Sequence, residues 1–273
     1  MGGPLRLPPY PPDAWRPGEA LAPLDNRTPV KVTFAGSGDS FGSGGRFQTC
    51  IVVDGPGVRF AIDFGASSLI ALARQEIHPN SVDAILLTHL HGDHCGGVPF
   101  LLIDAMLGAR RERPLIVAGP AGTRAHLEAL REVLFPGSAV MVSKFPLEYR
   151  EMTLSAANRV LDLVVTPRPA RHTAQTNPTA LRVEVGDRVI AYTGDTEWTD
   201  EVARIAEGAD LLIAECYYYA KPIKWHLNYP AIAAHVRSCG AKRVILTHMS
   251  AEMLAHAGDV PEECASDGMV VAL

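Results

Sequence analysis

Residues 83–98 read Asp-Ala-Ile-Leu-Leu-Thr-His-Leu-His-Gly-Asp-His-Cys-Gly-Gly-Val, and this stretch decides the fold. The apolar run from Ala84 to Leu87 has the length and composition of a buried strand. Three glycines follow and interrupt regular structure, so the polar side chains among them belong to a turn. Residues 98–107 have helical apolar spacing, and Gly108 provides a C-terminal stop. A strand, a polar turn and a helix in this order predict a site at the rim of an α/β sheet.

The turn concentrates side chains that bind metal ions. His89, His91, Asp93 and His94 lie within a few residues of one another. Neutral imidazole and carboxylate groups suit zinc, manganese and iron, and their alternating spacing lets one turn address two ions. We therefore predict two divalent metal ions, zinc in the first place, with manganese or iron as alternatives. Cys95 is predicted to be a small buried neighbour of this site rather than a ligand.

Residues 88–97, Thr-His-Leu-His-Gly-Asp-His-Cys-Gly-Gly, resemble the signature of the metallo-β-lactamase superfamily. The resemblance implies a four-layer αββα sandwich, with two mixed β-sheets and helices on the outer faces, and a hydrolytic metal centre. It also implies ligands after a middle strand, a hairpin strand and a late strand, which are His172, Asp195 and His248. One ion is then assigned His89, His91 and His172. The other is assigned Asp93, His94 and His248, and Asp195 and a hydroxide bridge the pair.

An internal similarity supports one domain built from two related halves. Residues 84–89, Ala-Ile-Leu-Leu-Thr-His, resemble residues 244–248, Val-Ile-Leu-Thr-His. Residues 60–65, which contain Asp63, likewise resemble residues 190–195, which end in Asp195. If two such halves pack sheet against sheet, ligands that are distant in sequence meet at one rim.

Residues 30–273 are predicted to form a single metallo-β-lactamase-like domain. A chain of 273 residues that is 47% hydrophobic can bury a core of that size. Residues 1–29 are rich in proline, which disfavours helices and central strands. We predict that this extension is a surface strap or a partly ordered tail, and the alternative is an arm that forms a homodimer.

Charge and cysteine content restrict the partners and the compartment. A net charge of −5 argues against a broad nucleic-acid-binding face, although it allows a local cationic pocket. The 5 cysteines show no Cys-x-x-Cys spacing, which is typical of a reduced, cytoplasmic chain. The sequence has no apolar run of the roughly 18 residues that a membrane span needs and no secretory signal pattern. We therefore expect a cytoplasmic protein that does not insert into membranes.

Glu215 and His226 favour one branch of the superfamily. Glu215 ends a predicted strand, and His226 opens the helix that follows. The pair resembles the additional Glu and His of ribonuclease Z-like phosphodiesterases and of the related phosphonate-breakdown phosphodiesterase, which opens cyclic ribose phosphates. The resemblance implies three catalytic residues: Asp93, His226 as the general acid for the leaving oxygen, and Glu215, which orients it. The alternative is that His226 is a structural residue at a helix start, packed on tyrosines.

The spacing between His172 and Asp195 bears on the substrate. Ribonuclease Z commonly carries a long tRNA-binding arm there, whereas about twenty residues, enough for a hairpin, separate the two here. Together with the negative charge, this predicts a small, or cyclic, phosphodiester rather than extended nucleic acid. Ser40 and Arg46, in the glycine-rich loop of residues 36–46, are candidate substrate contacts, and a plain turn is the alternative for that loop.

The predicted function is that of a dinuclear-metal phosphodiesterase whose nucleophile is a metal-bridging hydroxide. A first alternative is an acyl hydrolase of the lactone, thioester or β-lactam type on the same metals, which needs no general acid at residue 226. A second is a non-hydrolytic di-iron or metal-binding protein. Di-iron relatives usually replace one histidine of the turn by a carboxylate or carry a flavin domain, and this sequence shows neither feature.

Overall fold

Two β-sheets lie face to face between two layers of helices in the computed structural model, which describes residues 24–273. The strands of the first half are β1 (Lys31–Gly36), β2 (Cys50–Gly55), β3 (Val58–Ile62), β4 (Ala84–Leu86), β5 (Leu115–Gly119) and β6 (Leu147–Glu151). The later strands are β7 (Asn158–Val160), β8 (Leu163–Pro169), β9 (Thr179–Val185), β10 (Arg188–Tyr192), β11 (Leu211–Glu215), β12 (Val244–Thr247), β13 (Glu263–Cys264) and β14 (Met269–Ala272). The helices are α1 (Ser68–Arg74), α2 (Gly92–Cys95), α3 (Val98–Leu107), α4 (Thr123–Leu134), α5 (Asp200–Ala206), α6 (Tyr229–His235) and α7 (Ala251–Ala255).

Each sheet has an antiparallel part and a parallel part. The first sheet has the order β14-β1-β2-β3-β4-β5-β6, and its pairs are antiparallel up to β3 and parallel from β3 to β6. The second has the order β13-β12-β11-β10-β9-β8-β7, antiparallel from β7 to β10 and parallel beyond. The two halves thus repeat one plan, as the internal similarity suggested. The last strand, β14, returns to pair with β1, with Lys31 opposite Ala272.

The main core lies between the two sheets, and helices cover their outer faces. Phe34 and Phe60 of the first sheet and Tyr192 and Ile213 of the second belong to one fully buried cluster. A second cluster joins the first sheet to α1, α3 and α4, and a third joins the second sheet to α5, α6 and α7. Each buried side chain of this size stabilises the fold by about 1.5–3 kcal/mol. The predicted αββα sandwich with two mixed sheets is confirmed.

The elements around the central motif follow the sequence closely, and the differences have local causes. Helix α3 has the predicted bounds, and the amphipathic residues 123–134 form α4. Prolines at 167 and 169 favour an open loop in the sequence, but β8 continues to Pro169. β7 pairs only with residues 163–165 of β8. Beyond them β7 offers no partner, so the missing N–H of proline costs no hydrogen bond between these two strands. Helix α6 runs from Tyr229 to His235, so His226, which was predicted to open it, lies in the loop before it, and Asn228 is the N-cap.

Two predictions about the ends and surroundings of the chain remain open. Most of the proline-rich extension, residues 1–29, lies outside the described residues, so the strap and the dimer-forming arm stay predictions. The boundary at residue 30 stays a prediction as well, although β1 begins at Lys31. Within the described part, no helix has both the length and the apolar character needed to cross a bilayer.

Candidate metal centre

Polar side chains from several strand ends meet at one edge of the sandwich. The turn after β4 carries His89 and His91, and the short helix α2, which begins directly after His91, carries Asp93 and His94. His172 follows β8, Asp195 follows β10 and His248 follows β12. The carboxyl ends of β4, β10 and β12 point to the shared edge, since parallel strands present the same end there. The seven predicted ligands are thereby brought together.

The first group of ligands consists of three histidines, His89, His91 and His172, whose candidate ligand atoms all lie within 4.8 Å of one another. Nε2 of His89 is 3.2 Å from Nδ1 of His91, and Nε2 of His172 is 3.0 Å from the same atom. Nitrogen ligands of a tetrahedral zinc ion are separated by roughly 3.3 Å, given a Zn–N distance of about 2.0–2.1 Å. The three imidazoles are therefore spaced as ligands of one cation would be.

The second group consists of Asp93, His94, Asp195 and His248. Nε2 of His94 is 3.3 Å from Oδ2 of Asp93 and 3.3 Å from Oδ1 of Asp195. Nε2 of His248 is 3.2 Å from the same Asp93 oxygen. Oδ2 of Asp195 also lies 4.0 Å from Nε2 of both His89 and His172. Asp195 thus lies between the two groups, where it can serve both.

The donor set fits divalent cations, because two of its buried atoms lack partners. Within residues 24–273, Nε2 of His94 and Oδ1 of Asp195 are buried and make no hydrogen bond. A buried polar atom without a partner costs free energy, so such atoms in a native site indicate an ion or a similar group between them. Imidazole and carboxylate ligands of this kind suit zinc, manganese or iron.

A second layer of hydrogen bonds orients the imidazoles. Nδ1 of His94 donates to Oδ2 of Asp63 at 2.7 Å, and Thr88 donates to the same carboxylate through its backbone N–H and its hydroxyl. Nδ1 of His172 donates to the backbone oxygen of Trp225 at 2.9 Å. With Nδ1 engaged, Nε2 of each ring is directed to the centre.

Sequence reasoning did not assign a role to Asp63. The residue is fully buried and ends β3 in a left-handed conformation, with φ of 57°. A signal was present, because the similarity between residues 60–65 and residues 190–195 pairs the segment of Asp63 with that of the predicted ligand Asp195. Its contacts show a carboxylate that orients His94 and does not itself belong to a ligand group.

Glu215 and His226 form a hydrogen-bonded pair beside the second group. Nδ1 of His226 donates to Oε2 of Glu215 at 2.8 Å, and the ring lies against that of Tyr217 with centroids 4.9 Å apart. Oε1 of the fully buried Glu215 accepts from the backbone N–H of Thr196 and of Leu227. Asp195, Glu215, His226 and His248 are also close enough to hold an ion. Because the Glu215 oxygens already accept these bonds, we favour an orienting role over a ligand role.

Electrostatics differ between the two groups in the metal-free protein. Burial lowers the pKa of His89 well below its usual value and that of His172 to about 4, so both imidazoles are neutral. Burial also opposes charge on His248, but the carboxylates of Asp195 and Asp93 outweigh it and raise its pKa to about 9. His94 and His248 lower the pKa of Asp93, although the burial of this carboxylate opposes the shift. Cations at the second group would therefore displace protons from imidazoles.

The two predicted substrate contacts have different surroundings. The hydroxyl of Ser40 donates to Oδ2 of Asp93 at 2.5 Å, so Ser40 does reach the site. The described hydrogen bonds of the Arg46 guanidinium go to other parts of the chain than the metal centre. Its Nη1 donates to the backbone oxygen of Ala265 at 2.5 Å and lies 3.4 Å from the Ser37 hydroxyl, which ties the glycine-rich loop to the C-terminal segment. The substrate contact of Arg46 stays a prediction beside this structural contact.

Comparison with known proteins agrees with this architecture. The family model described as "Beta-lactamase superfamily domain" matches residues 58–249. The ribonuclease Z of Methanothermobacter thermautotrophicus is 29% identical over 81% of this chain and 87% of that protein. The ribonuclease Z of Methanosarcina acetivorans is 24% identical over 81% and 88%.

Solved structures show the same fold. The short form of human tRNase Z aligns with a TM-score of 0.71 and 24% identity over 89% of this chain and 98% of that one. A diphosphatase from the PhnP family aligns with a TM-score of 0.70 and 19% identity over 89% and 99%. The chain belongs to the β-lactamase superfamily domain family. Within that family it is an enzyme, a metallo-hydrolase similar to ribonuclease Z.

Proposed function

We propose that this chain is a dinuclear-metal phosphodiesterase that hydrolyses a small phosphodiester, cyclic diesters included. The observation that carries the proposal is the His226–Glu215 pair, held 2.8 Å apart beside the second ligand group, which contains Asp195. The alkoxide released from a phosphodiester is a poor leaving group and benefits from a general acid. The acyl hydrolase that the sequence left open needs no acid at this position.

The proposed ligands are three side chains for each ion and one shared carboxylate. His89, His91 and His172 would hold one ion, Asp93, His94 and His248 the other, and Asp195 would serve both. When bound, two divalent ions lower the pKa of water to generate a nucleophile and offset the charge that develops on the phosphorus.

The protein's own residues supply orientation and a proton. Ser40 donates to Asp93 and so holds one orientation of that carboxylate, which is both a ligand and the third predicted catalytic residue. Glu215 accepts a hydrogen bond from Nδ1–H of His226. Nε2 is therefore the nitrogen that can protonate the departing oxygen. The Glu215 carboxylate also stabilises the imidazolium form before transfer.

The size of the substrate follows from the short connection between His172 and Asp195. β9 and β10 form a hairpin that takes up residues 179–192 of this stretch, so it holds no inserted arm. A second candidate function is cleavage at an RNA 3′ end, and the ribonuclease Z names of the relatives favour it. The net charge of −5 weighs against it, because gripping an RNA backbone requires several cationic contacts.

The proposal is tested with the zinc-loaded enzyme and two histidine variants. His226→Ala should lower kcat for an alkyl diester, such as a nucleoside 2′,3′-cyclic phosphate, by about 10²–10⁴-fold. It should affect bis(p-nitrophenyl) phosphate much less, because nitrophenolate leaves without a proton. His256→Ala is the matched control, since His256 pairs with Asp259 at the surface. Metal content measured by mass spectrometry shows whether the centre remains loaded.

Three results would contradict the proposal or redirect it. Unchanged turnover of the alkyl diester by His226→Ala would remove the general acid. Turnover of lactones or thioesters with no phosphodiester activity would establish the acyl hydrolase. Efficient cleavage of a precursor tRNA, with slow cleavage of small diesters, would favour the ribonuclease.

A further inference from the structure

Trp225 has a backbone conformation that its side chain does not favour. Its φ is 74°, in the left-handed region that bulky residues rarely adopt. Two contacts hold it there: its N–H donates to Oε1 of Glu197 at 3.0 Å, and its carbonyl accepts from Nδ1 of His172 at 2.9 Å. Glycine or asparagine would make both backbone contacts with less strain. The backbone therefore does not explain why this residue is tryptophan.

The indole itself lies beside His172, one of the proposed metal ligands. Trp225 is 39% exposed, and its ring centroid lies 6.5 Å from that of His172. Nζ of Lys224 lies 4.4 Å from the indole centroid, and His226 follows directly in the chain. The ammonium group lies over the indole ring, and the rest of the partly exposed ring is available for stacking. A ring surface and a positive charge together are the combination that binds a base and its phosphate.

A second cation–aromatic pair lies on the same loop. Nζ of Lys221 is 5.2 Å from the ring centroid of Tyr218. The loop between β11 and α6 thus carries two lysines and two aromatic rings in a chain of net charge −5, and Trp225 brings one of these pairs against His172. A ligand with a planar ring and a negative group matches this local composition.

We propose that Trp225 and Lys224 form a stacking platform for a nucleobase, so that the substrate is a nucleoside phosphodiester. This inference rests on the proposed phosphodiesterase function and specifies its substrate class. Because Trp225 is bonded to His172 and adjoins His226, a base stacked on the indole lies next to both a proposed ligand and the proposed acid. The base can belong to a small nucleotide or to an RNA end, and the chemistry recognised is the same.

The first test is tryptophan fluorescence. The chain has 3 tryptophans, so the double variant Trp15→Phe and Trp198→Phe leaves Trp225 as the sole emitter. AMP should quench its emission saturably in the zinc-loaded protein, whereas ribose 5-phosphate, which lacks the base, should not. Equal responses to the two ligands would overturn the platform.

The second test separates the ring from the backbone. Trp225→Asn tolerates the left-handed conformation but removes the ring, and Trp225→Phe retains a ring. We expect Asn to weaken AMP binding by about 5–150-fold in calorimetry, with most of the affinity kept by Phe. Trp198→Phe is the matched control, because Trp198 stacks on His235 with centroids 4.6 Å apart. Metal content is measured in every variant.

The outcomes distinguish this inference from the proposed function. Equal AMP affinity in the Asn and Phe variants would overturn the platform even if phosphodiesters are hydrolysed. Base-dependent binding without hydrolysis of any phosphodiester would refute the proposed function and leave the stacking contact standing. If the platform is present, a short single-stranded RNA assayed beside AMP identifies the source of the base: the ligand that loses more affinity in Trp225→Asn is the one whose base stacks there.

Discussion

Oδ2 of Asp63 lies 2.7 Å from Nδ1 of His94, and both side chains are fully buried. The carboxylate comes from the end of β3 and the imidazole from α2, so this bond joins two separate elements of the first sheet and its helices. It fixes which nitrogen of His94 faces the ligand group, and Thr88 holds the carboxylate in turn.

We therefore expect Asp63→Asn to weaken metal binding. Asparagine tolerates the left-handed φ of this position, so the backbone should be kept. One of the two carboxylate oxygens that accept from Thr88 and His94 is replaced by an NH₂ group, and the negative charge is lost. Removal of such an orienting partner typically costs 10–100-fold in metal affinity or activity. Metal content after dialysis against graded chelator measures the effect. Asp187→Asn, at a side chain that is 85% exposed, is the control, and equal affinities in the two variants would show that Asp63 does not orient His94.

Metal removal should lower thermal stability. Metal-free protein keeps buried imidazoles and carboxylates whose atoms lack partners, and bound ions stabilise only the folded chain. At an ion concentration of 100 times Kd the gain is about 2.7 kcal/mol, or roughly 5–10 °C in Tm for a chain of this size. Scanning fluorimetry of chelator-treated protein with added zinc, manganese or iron measures the shift. A Tm that no ion changes would argue against a metal centre.

Native thiols should react slowly. Cys50, Cys95, Cys216 and Cys239 are buried, and Cys264 is partly exposed. Burial raises the pKa of Cys50 and Cys95 to about 12, so almost no thiolate is present near pH 8. Titration with Ellman's reagent should therefore give at most one fast thiol in the folded protein and five after denaturation. Cys264→Ser should remove the fast phase; two or more fast thiols in this variant would contradict the burial of the others.

Tyr192 offers a test of the core between the sheets. The side chain is fully buried, and within the described residues its hydroxyl has no hydrogen-bond partner. An unpaired buried hydroxyl costs about 1–3 kcal/mol, so Tyr192→Phe should leave stability unchanged or raise Tm by a few degrees. Tyr229→Phe is the matched control, because that hydroxyl donates to Glu262 at 3.0 Å. A clear loss of stability in Tyr192→Phe, measured at equal metal loading, would reveal a partner for the hydroxyl.

Much of the fold was predictable because its signals are local. The strand, turn and helix of residues 83–107 depend on apolar spacing and on glycines that lie within the stretch itself, and α3 has the predicted bounds. The amphipathic pattern of residues 123–134 likewise predicts α4. The four edge strands, β6, β7, β13 and β14, were missed because they are short and partly exposed, so they lack a buried apolar run. β14 also depends on a distant partner, since Lys31 pairs with Ala272.

The candidate site divides in the same way. His89, His91, Asp93 and His94 could be proposed as one cluster because a single turn carries them. His172, Asp195 and His248 were assigned through family resemblance, and only the packing of two sheets brings them to that turn. Arg46 shows the limit of a local signal: its loop predicts a substrate contact, which stays a prediction, but not its hydrogen bond to Ala265, 219 residues later.

The sequence by itself determined the kind of ligand and the family resemblance, because a short motif of characteristic residue types carries both. The layered architecture was implied by that resemblance. The tertiary structure alone decided that Asp63 orients His94, that Arg46 is tied to the C-terminal segment, and that Trp225 is strained beside His172. Each of these contacts joins residues that are distant in the chain. Asp63–His94 forms within the first half and His172–Trp225 within the second, whereas Arg46–Ala265 joins the two halves, so none of them is visible in local spacing.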